Sequence, residues 1–231
     1  MTTIKTLKQA KSYGVVIKGN SKIHGSTFST DPLQCKVGSK LRDIEGSTCN
    51  KCYAIKLSKV YPSALQSWKD NLSKFRHNSD NLTLWCEAIA YQINHISEYK
   101  KRRGLKGTGF HRWFSSGDLD SLDMLKAICY VAKLTPTIKH WLPTREIGIL
   151  RQYLNHLGTI PDNLTIRISD TKIDEQTKRY PLQHKNVTYS GVHTKELKAA
   201  IECPAYSNSG ECGDCSKCWD STILKISYKL H

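Results

Sequence analysis

Seven of the nine cysteines stand at spacings that suit metal chemistry. Cys212-Gly213-Asp214-Cys215-Ser216-Lys217-Cys218 repeats C-x2-C twice without interruption, and Cys203-Pro204 lies just upstream. Thiolates arriving every third residue on a tight turn can point at one centre, and glycine relieves the backbone between them. Cys49-Asn50-Lys51-Cys52 is a further C-x2-C pair with Cys35 before it. A [4Fe–4S] cluster takes four ligands, or three and an exchangeable position, and tetrahedral zinc takes four. The uninterrupted triplet favours iron–sulfur, with Cys203, Cys212, Cys215 and Cys218 as the first ligand set and Cys35, Cys49 and Cys52 as further metal candidates. Paired C-x2-C segments also suit zinc, which stays as the alternative metal. Disulfides are disfavoured by the odd count and by the lack of an uninterrupted apolar stretch near the start. Cys86 and Cys129 fall inside helical patterns, and Cys129 reads as a buried thiol.

Polar residues at the ends of strand-like runs form a second candidate site. Asp118 follows the run 110–114, Arg145-Glu146 follows 137–142, and Asp170 ends 164–169. In β/α folds chemistry collects at the carboxyl ends of strands. His111 and Arg167 lie within these runs and can face an interior, whereas His140 and Trp141 alternate, so only one of them shares that face. The catalytic candidates are thus Asp118, Arg145, Glu146, Arg167, Asp170 and His111. Together they can bind a small anion or shuttle a proton. The ordinary reading makes Asp118 a helix cap, Glu146 a first-turn carboxylate, and Arg145 a partner of Glu146 or Asp170. Gly104 to Gly109 lacks the G-K-[ST] end of a phosphate loop and precedes a strand, and neither G-x-S-x-G nor H-E-x-x-H occurs.

The elements that must position these groups alternate. Residues 13–17 read as an opening strand. Leu65, Trp68, Leu72 and Phe75 then mark one helix, and Trp85, Ile89, Ile93 and Ile96 the next. Helices carrying Leu122, Leu125, Cys129 and Ala132, and Ile147, Leu150, Leu154 and Leu157, separate the three middle strands. Those strands recur at intervals of 27 residues, as successive β/α units do, and 187–190 and 223–228 supply later ones. The expected fold is α/β: a small, irregular or incomplete β/α (TIM-like) barrel with a metal-bound cysteine-rich C-terminal loop, in a single domain over 1–231. An open α/β sheet is the alternative. If the sheet closes, its first and last segments become neighbours and Cys49 and Cys52 can join the final triplet.

Thirty-five Lys and Arg against twenty Asp and Glu leave a net charge of +15 on 231 residues. That balance favours nucleic acid, an anionic small molecule or an acidic protein as partner. Its densest stretch is Lys100-Lys101-Arg102-Arg103, extended by Lys106 and Arg112, and reads as an anion-binding surface or a solvated loop after a helix. A mean hydropathy of −0.48, with no apolar run near the roughly 18–20 residues of a membrane span, argues against a membrane protein.

A resemblance rests on several segments together: Gly38 to Leu41, Gly46 to Cys49, Cys52 to Ala54, Trp113 to Asp118, His140 to Glu146, Pro161 to Leu164, Cys203 to Ala205 and Cys212 to Trp219. Over residues 20–220 the chain resembles a bacteriophage family of cysteine-rich proteins of uncharacterised function, the mycobacteriophage gene-product-eighty-eight type. The resemblance implies a phage protein acting in the host cytoplasm, with iron–sulfur on a barrel-like body, and implies no particular reaction. Cys49, Cys52 and Tyr53 are also distantly similar to the end of the C-x3-C-x2-C loop of radical S-adenosylmethionine barrels. The chain departs from that loop at Glu45, where its first cysteine would stand. The leading expectation is an iron–sulfur protein with a redox or catalytic role. The others are a metal-stabilised module binding nucleic acid or a host protein, and a structural zinc protein.

Overall fold

In a computed structural model, residues 3–19, 22–156, 158–175, 181–195 and 200–230 are described. Eight strands form one sheet: β1 (Ile17–Lys18), β2 (Ser26–Phe28), β3 (Phe110–Trp113), β4 (Lys139–Thr144), β5 (Leu164–Ile173), β6 (Val187–His193), β7 (Ile201–Glu202) and β8 (Lys225–Lys229). Their order is β1-β2-β3-β4-β5-β6-β8-β7. The β1–β2 pair is antiparallel and every other pair is parallel. The strands expected at 110–114, 137–142 and 164–169 are therefore parallel neighbours. Among the described residues β1 and β7 remain the two ends of the sheet, so barrel closure is not made.

Seven α-helices accompany the sheet among the described residues: α1 (Leu7–Ser12), α2 (Lys36–Arg42), α3 (Tyr53–Val60), α4 (Pro62–His77), α5 (Leu82–Arg102), α6 (Leu122–Leu134) and α7 (Ile147–His156). Local chemistry sets their ends. Pro62 opens α4, and the side chains of Asn81 and Ser121 accept the N–H groups of Leu84 and Met124 to start α5 and α6. Lys100, Lys101 and Arg102 form the last turn of α5, where cations suit the helix dipole, so this basic run is helix rather than loop. Leu157, expected on the inward face of α7, lies outside the described residues.

Strand alternation gives the sheet two different faces. One face packs Phe28, Trp113, Leu142 and Ile166 against Trp85 and Ile89 of α5 and Leu125 and Ile128 of α6. The other carries Trp141, Ile226 and Phe110, covered by Cys218 and Trp219 from the C-terminal loop. The expected opening strand shrinks to Ile17–Lys18 for a local reason. The N–H of Val15 donates to the Asn71 side chain and that of Val16 to the Gln92 side chain, so helices α4 and α5 satisfy this backbone instead of a neighbouring strand.

The corner after β3 is tightly specified. Phe114 has a positive φ of 51°, and Gly117 one of 83°. A Cβ added to Gly117 would meet Thr30 Oγ1 at 2.1 Å, so only glycine fits there. This corner delivers Asp118 to the carboxyl ends of the strands.

Candidate functional site

Asp118 ties two strand ends together. Its Oδ1 accepts from Thr144 Oγ1 at 2.6 Å and from the Leu119 N–H at 2.8 Å, and Oδ2 accepts the Arg145 N–H at 2.9 Å. Burial pushes its carboxyl up to about 6, against the pull of these donors and of the Arg145 charge. Glu146 is buried, and its Oε1 accepts the Val37 N–H at 2.8 Å in the first turn of α2. Arg145 donates from Nε to Thr48 Oγ1 at 3.1 Å. The Thr48 hydroxyl in turn donates to the Asp170 carbonyl at 2.9 Å, and its N–H to the Thr171 carbonyl at 2.9 Å. The segment carrying Cys49 is thereby strapped to the end of β5.

Three thiols gather at this mouth. A Cβ placed on Gly38 would lie 3.7 Å from the Cys49 sulfur and 3.8 Å from the Cys35 sulfur, so both face the space beside that glycine. Burial pushes the Cys35 thiol far up, and the charges of Asp118, Cys52, Cys49 and Glu146 push it further. The Cys49 thiol is also raised, chiefly by burial, with Arg145 opposing. Ionising these thiols together is therefore costly unless a positive centre joins them.

The C-terminal thiols lie elsewhere, over the face that Trp141 lines, with Cys203 just after β7. The Cys212 N–H donates to the Lys22 carbonyl at 3.2 Å, and His24 Nε2 contacts the Cys215 carbonyl at 3.1 Å. Trp219 Nε1 donates to the His111 carbonyl at 2.8 Å, and Thr165 Oγ1 donates to the Trp219 carbonyl at 3.0 Å. Arg167 has no exposed surface and grips this loop. It donates to the carbonyls of Cys218 at 2.9 Å, Lys217 at 2.8 Å, Asp220 at 2.7 Å and Ile223 at 3.0 Å. Arg112 lies over the Trp141 ring at 4.5 Å, and its buried Nε has no hydrogen-bond partner among the described residues. Burial pushes the Cys218 thiol up to about 12, and Tyr228, Arg167 and Arg112 pull it down. Its sulfur and the Tyr228 hydroxyl share a hydrogen bond of 3.2 Å. Cys203 and Cys215 are among the groups that raise the Cys212 thiol, and burial leads there too.

The candidate catalytic residues thus divide. Asp118, Arg145 and Glu146 meet at the carboxyl ends with Cys35, Cys49 and Cys52. Arg167 serves the C-terminal loop instead. Asp170 contributes its carbonyl to the mouth, but its carboxylate accepts from Lys225 Nζ at 2.6 Å in a buried ion pair. His111 is fully buried inside the sheet, bonded through Nδ1 to Ser26 Oγ at 2.8 Å, with Nε2 unpartnered among the described residues. His140 shares its face: Trp113 Nε1 donates to His140 Nδ1 at 3.2 Å, and Thr135 Oγ1 lies 2.8 Å from its Nε2. The expected sharing of one centre by Cys49, Cys52 and the final triplet is conditional on closure of the sheet, and among the described residues the sheet does not close. The two cysteine segments have separate polar partners, Asp118, Arg145 and Glu146 for the first and Arg112 and Arg167 for the second.

Sequence reasoning missed Thr48, Thr144, Arg112, Tyr228 and Lys225 as site residues. Lys225 carried a signal in the polar–apolar alternation of Lys225 to Lys229, Arg112 one in the basic stretch, and Thr48 and Thr144 one in the resembling segments Gly46 to Cys49 and His140 to Glu146. Among the described residues no three His, Cys, Asp or Glu side chains are arranged around a position for a metal ion. No helix there is long and apolar enough to cross a membrane. A family model described as gene product 88 matches residues 17–221. Comparison with curated proteins and with solved structures gave no match.

Proposed function

The chain belongs to the gene product 88 family, a phage family of uncharacterised function, and we propose that it is an iron–sulfur protein whose Cys203, Cys212, Cys215 and Cys218 hold a [4Fe–4S] cluster. The observation that carries this reading is cationic. Arg167, fully buried, makes no ion pair among the described residues, and Arg112 keeps an orphaned buried Nε beside the same thiols. Buried guanidinium charge without a carboxylate is costly, and an anionic thiolate-ligated cluster compensates it. The thiol triplet at every third residue fits a compact cluster better than one tetrahedral ion.

When bound, such a cluster supplies one-electron transfer. This chain's own residues do the rest. Arg167 fixes the carbonyls around Cys218, and Arg112 and Tyr228 pull the Cys218 thiol down against the larger upward push of burial. The host cytoplasm, where thiols stay reduced, is the compartment this reading requires. The test is anaerobic purification followed by iron and acid-labile sulfide assay. Replacing Cys212, Cys215 or Cys218 by Ala should remove about four iron and four sulfide per chain and loosen the C-terminal loop. Stoichiometric zinc without sulfide, in protein made under iron-replete conditions, would contradict the reading.

A further inference from the structure

The basic run at the end of α5 takes no part in that reading. Lys101, Arg102 and Arg103 are exposed, and so is Lys18 of β1. Two of these cations meet at one ring: Lys18 Nζ lies 5.0 Å and the Arg103 guanidinium 5.9 Å from the centre of Tyr99. The strand and the helix end therefore form one patch. None of the four side chains makes a hydrogen bond or an ion pair among the described residues. Helix capping does not use them either, because the N–H groups of Arg103, Gly104 and Leu105 donate to the carbonyls of Tyr99, Lys101 and Lys100 at 3.2, 3.1 and 3.0 Å. Glu98, one turn earlier, lines the groove that holds Ile4 and Leu134. Lys100 is buried with its Nζ 3.5 Å from the Lys106 carbonyl, and burial and the Lys18 charge pull its ammonium below the ordinary value. The other two members of the basic stretch are engaged elsewhere: Lys106 pairs with Asp214 at 2.8 Å, and Arg112 lies over Trp141.

We propose that Lys18, Lys101, Arg102 and Arg103 form a contact surface for the sugar–phosphate backbone of nucleic acid, bound without regard to sequence. Like charges held together without a carboxylate repel one another, and a polyanion laid among them relieves that repulsion. Cations contributed by two separate elements suit a chain of phosphates, and such contacts position the chain without reading its bases. An acidic protein fits this surface less well. Protein interfaces bury an apolar centre inside a charged rim. Between Tyr99 and Lys106 the one large hydrophobic side chain that is exposed is Leu105, and Ile17 alternates with Lys18 to the opposite face of β1. The surface stands independently of any metal over the Trp141 face, because it shares no residue with the cysteine loop.

The experiment uses the full chain and the fluorescence anisotropy of a labelled DNA duplex of about 20 base pairs, with salt varied from about 50 to 200 mM. Wild type should bind, and log K should fall against log salt with a slope of about −3 to −4, as four phosphate contacts require. Lys101→Gln/Arg102→Gln/Arg103→Gln should reduce that slope in magnitude by about 2–3 and weaken binding at about 100 mM salt at least tenfold. Lys18→Gln, on a different element, should reduce it by about one, so the test does not depend on the helix end alone. Lys56→Gln/Lys59→Gln/Lys69→Gln removes as many exposed charges from α3 and α4 and should weaken binding less than about twofold, because distant charges are screened. A duplex of unrelated sequence should bind equally well. No duplex binding at about 50 mM salt, equal losses in the two triple variants, or a roughly tenfold preference between duplexes would overturn the proposal. Competition by poly-glutamate as effective as by unlabelled duplex at equal charge would overturn it in favour of an acidic protein.

Discussion

Two regions of the sheet, its Trp141 face and its carboxyl strand ends, collect cysteines in similar numbers but in opposite electrostatic surroundings. Over the Trp141 face, four thiols meet two guanidiniums and a tyrosine, with Arg167 fully buried among loop carbonyls. At the carboxyl ends, three thiols meet two carboxylates and a single guanidinium that retains free donors. The first arrangement is closed: its cation is spent on holding the loop. The second is less filled: among the described residues only the Nε of Arg145 is engaged.

Removing Arg167 should break the comparison most severely. Arg167→Leu strands four carbonyls that the guanidinium now satisfies, and the expected loss is about 3–5 kcal/mol. Limited proteolysis should then cut within 203–219 while the segment 35–52 stays resistant. Simultaneous cleavage of both would show that the two ends are one cooperative unit.

Gly117→Ala should act on the other end. A Cβ there meets Thr30 Oγ1 at 2.1 Å and strains a φ of 83°, so roughly 2–3 kcal/mol of stability should go. Displacing Asp118 releases the Arg145 backbone, so thiol labelling at Cys35 and Cys49 should rise and that at Cys218 should not. Equal labelling would show that the corner does not shape the mouth.

The histidines inside the sheet sharpen the comparison through pH. Burial depresses His140 to about 3 and His111 well below its ordinary value, so both are neutral when folded. A depressed histidine stabilises fully above about pH 6.5 and loses that stability as pH falls toward its folded value, at about 1.4 kcal/mol per unit for each. Chemical denaturation of the metal-free chain between pH 7 and 4 should show this slope, and His140→Phe should reduce it. A slope unchanged in the variant would assign the acid sensitivity to other groups. At the small end, Lys106→Ala removes an exposed ion pair with Asp214 in the cysteine loop and should leave thermal unfolding unchanged.

Part of this was legible in the sequence. The 27-residue recurrence identified three parallel strands, and alternation separated His140 from Trp141. Alternation does not say what covers each face, so Arg167 was grouped with the mouth although it meets a loop fifty residues later in the chain. The opening strand failed because Asn71 and Gln92 satisfy its backbone from distant helices, an exchange with no local signature. The spacing of seven cysteines makes them candidate ligands. It does not show that strand order divides them, since that depends on which end of the sheet each connection reaches.

The most direct measurement is iron-edge anomalous diffraction from anaerobically grown crystals of the iron-loaded chain. The account predicts one iron position, within Cys203, Cys212, Cys215 and Cys218. A single iron position shared by cysteines of both segments, or anomalous signal at the zinc edge alone, would contradict it.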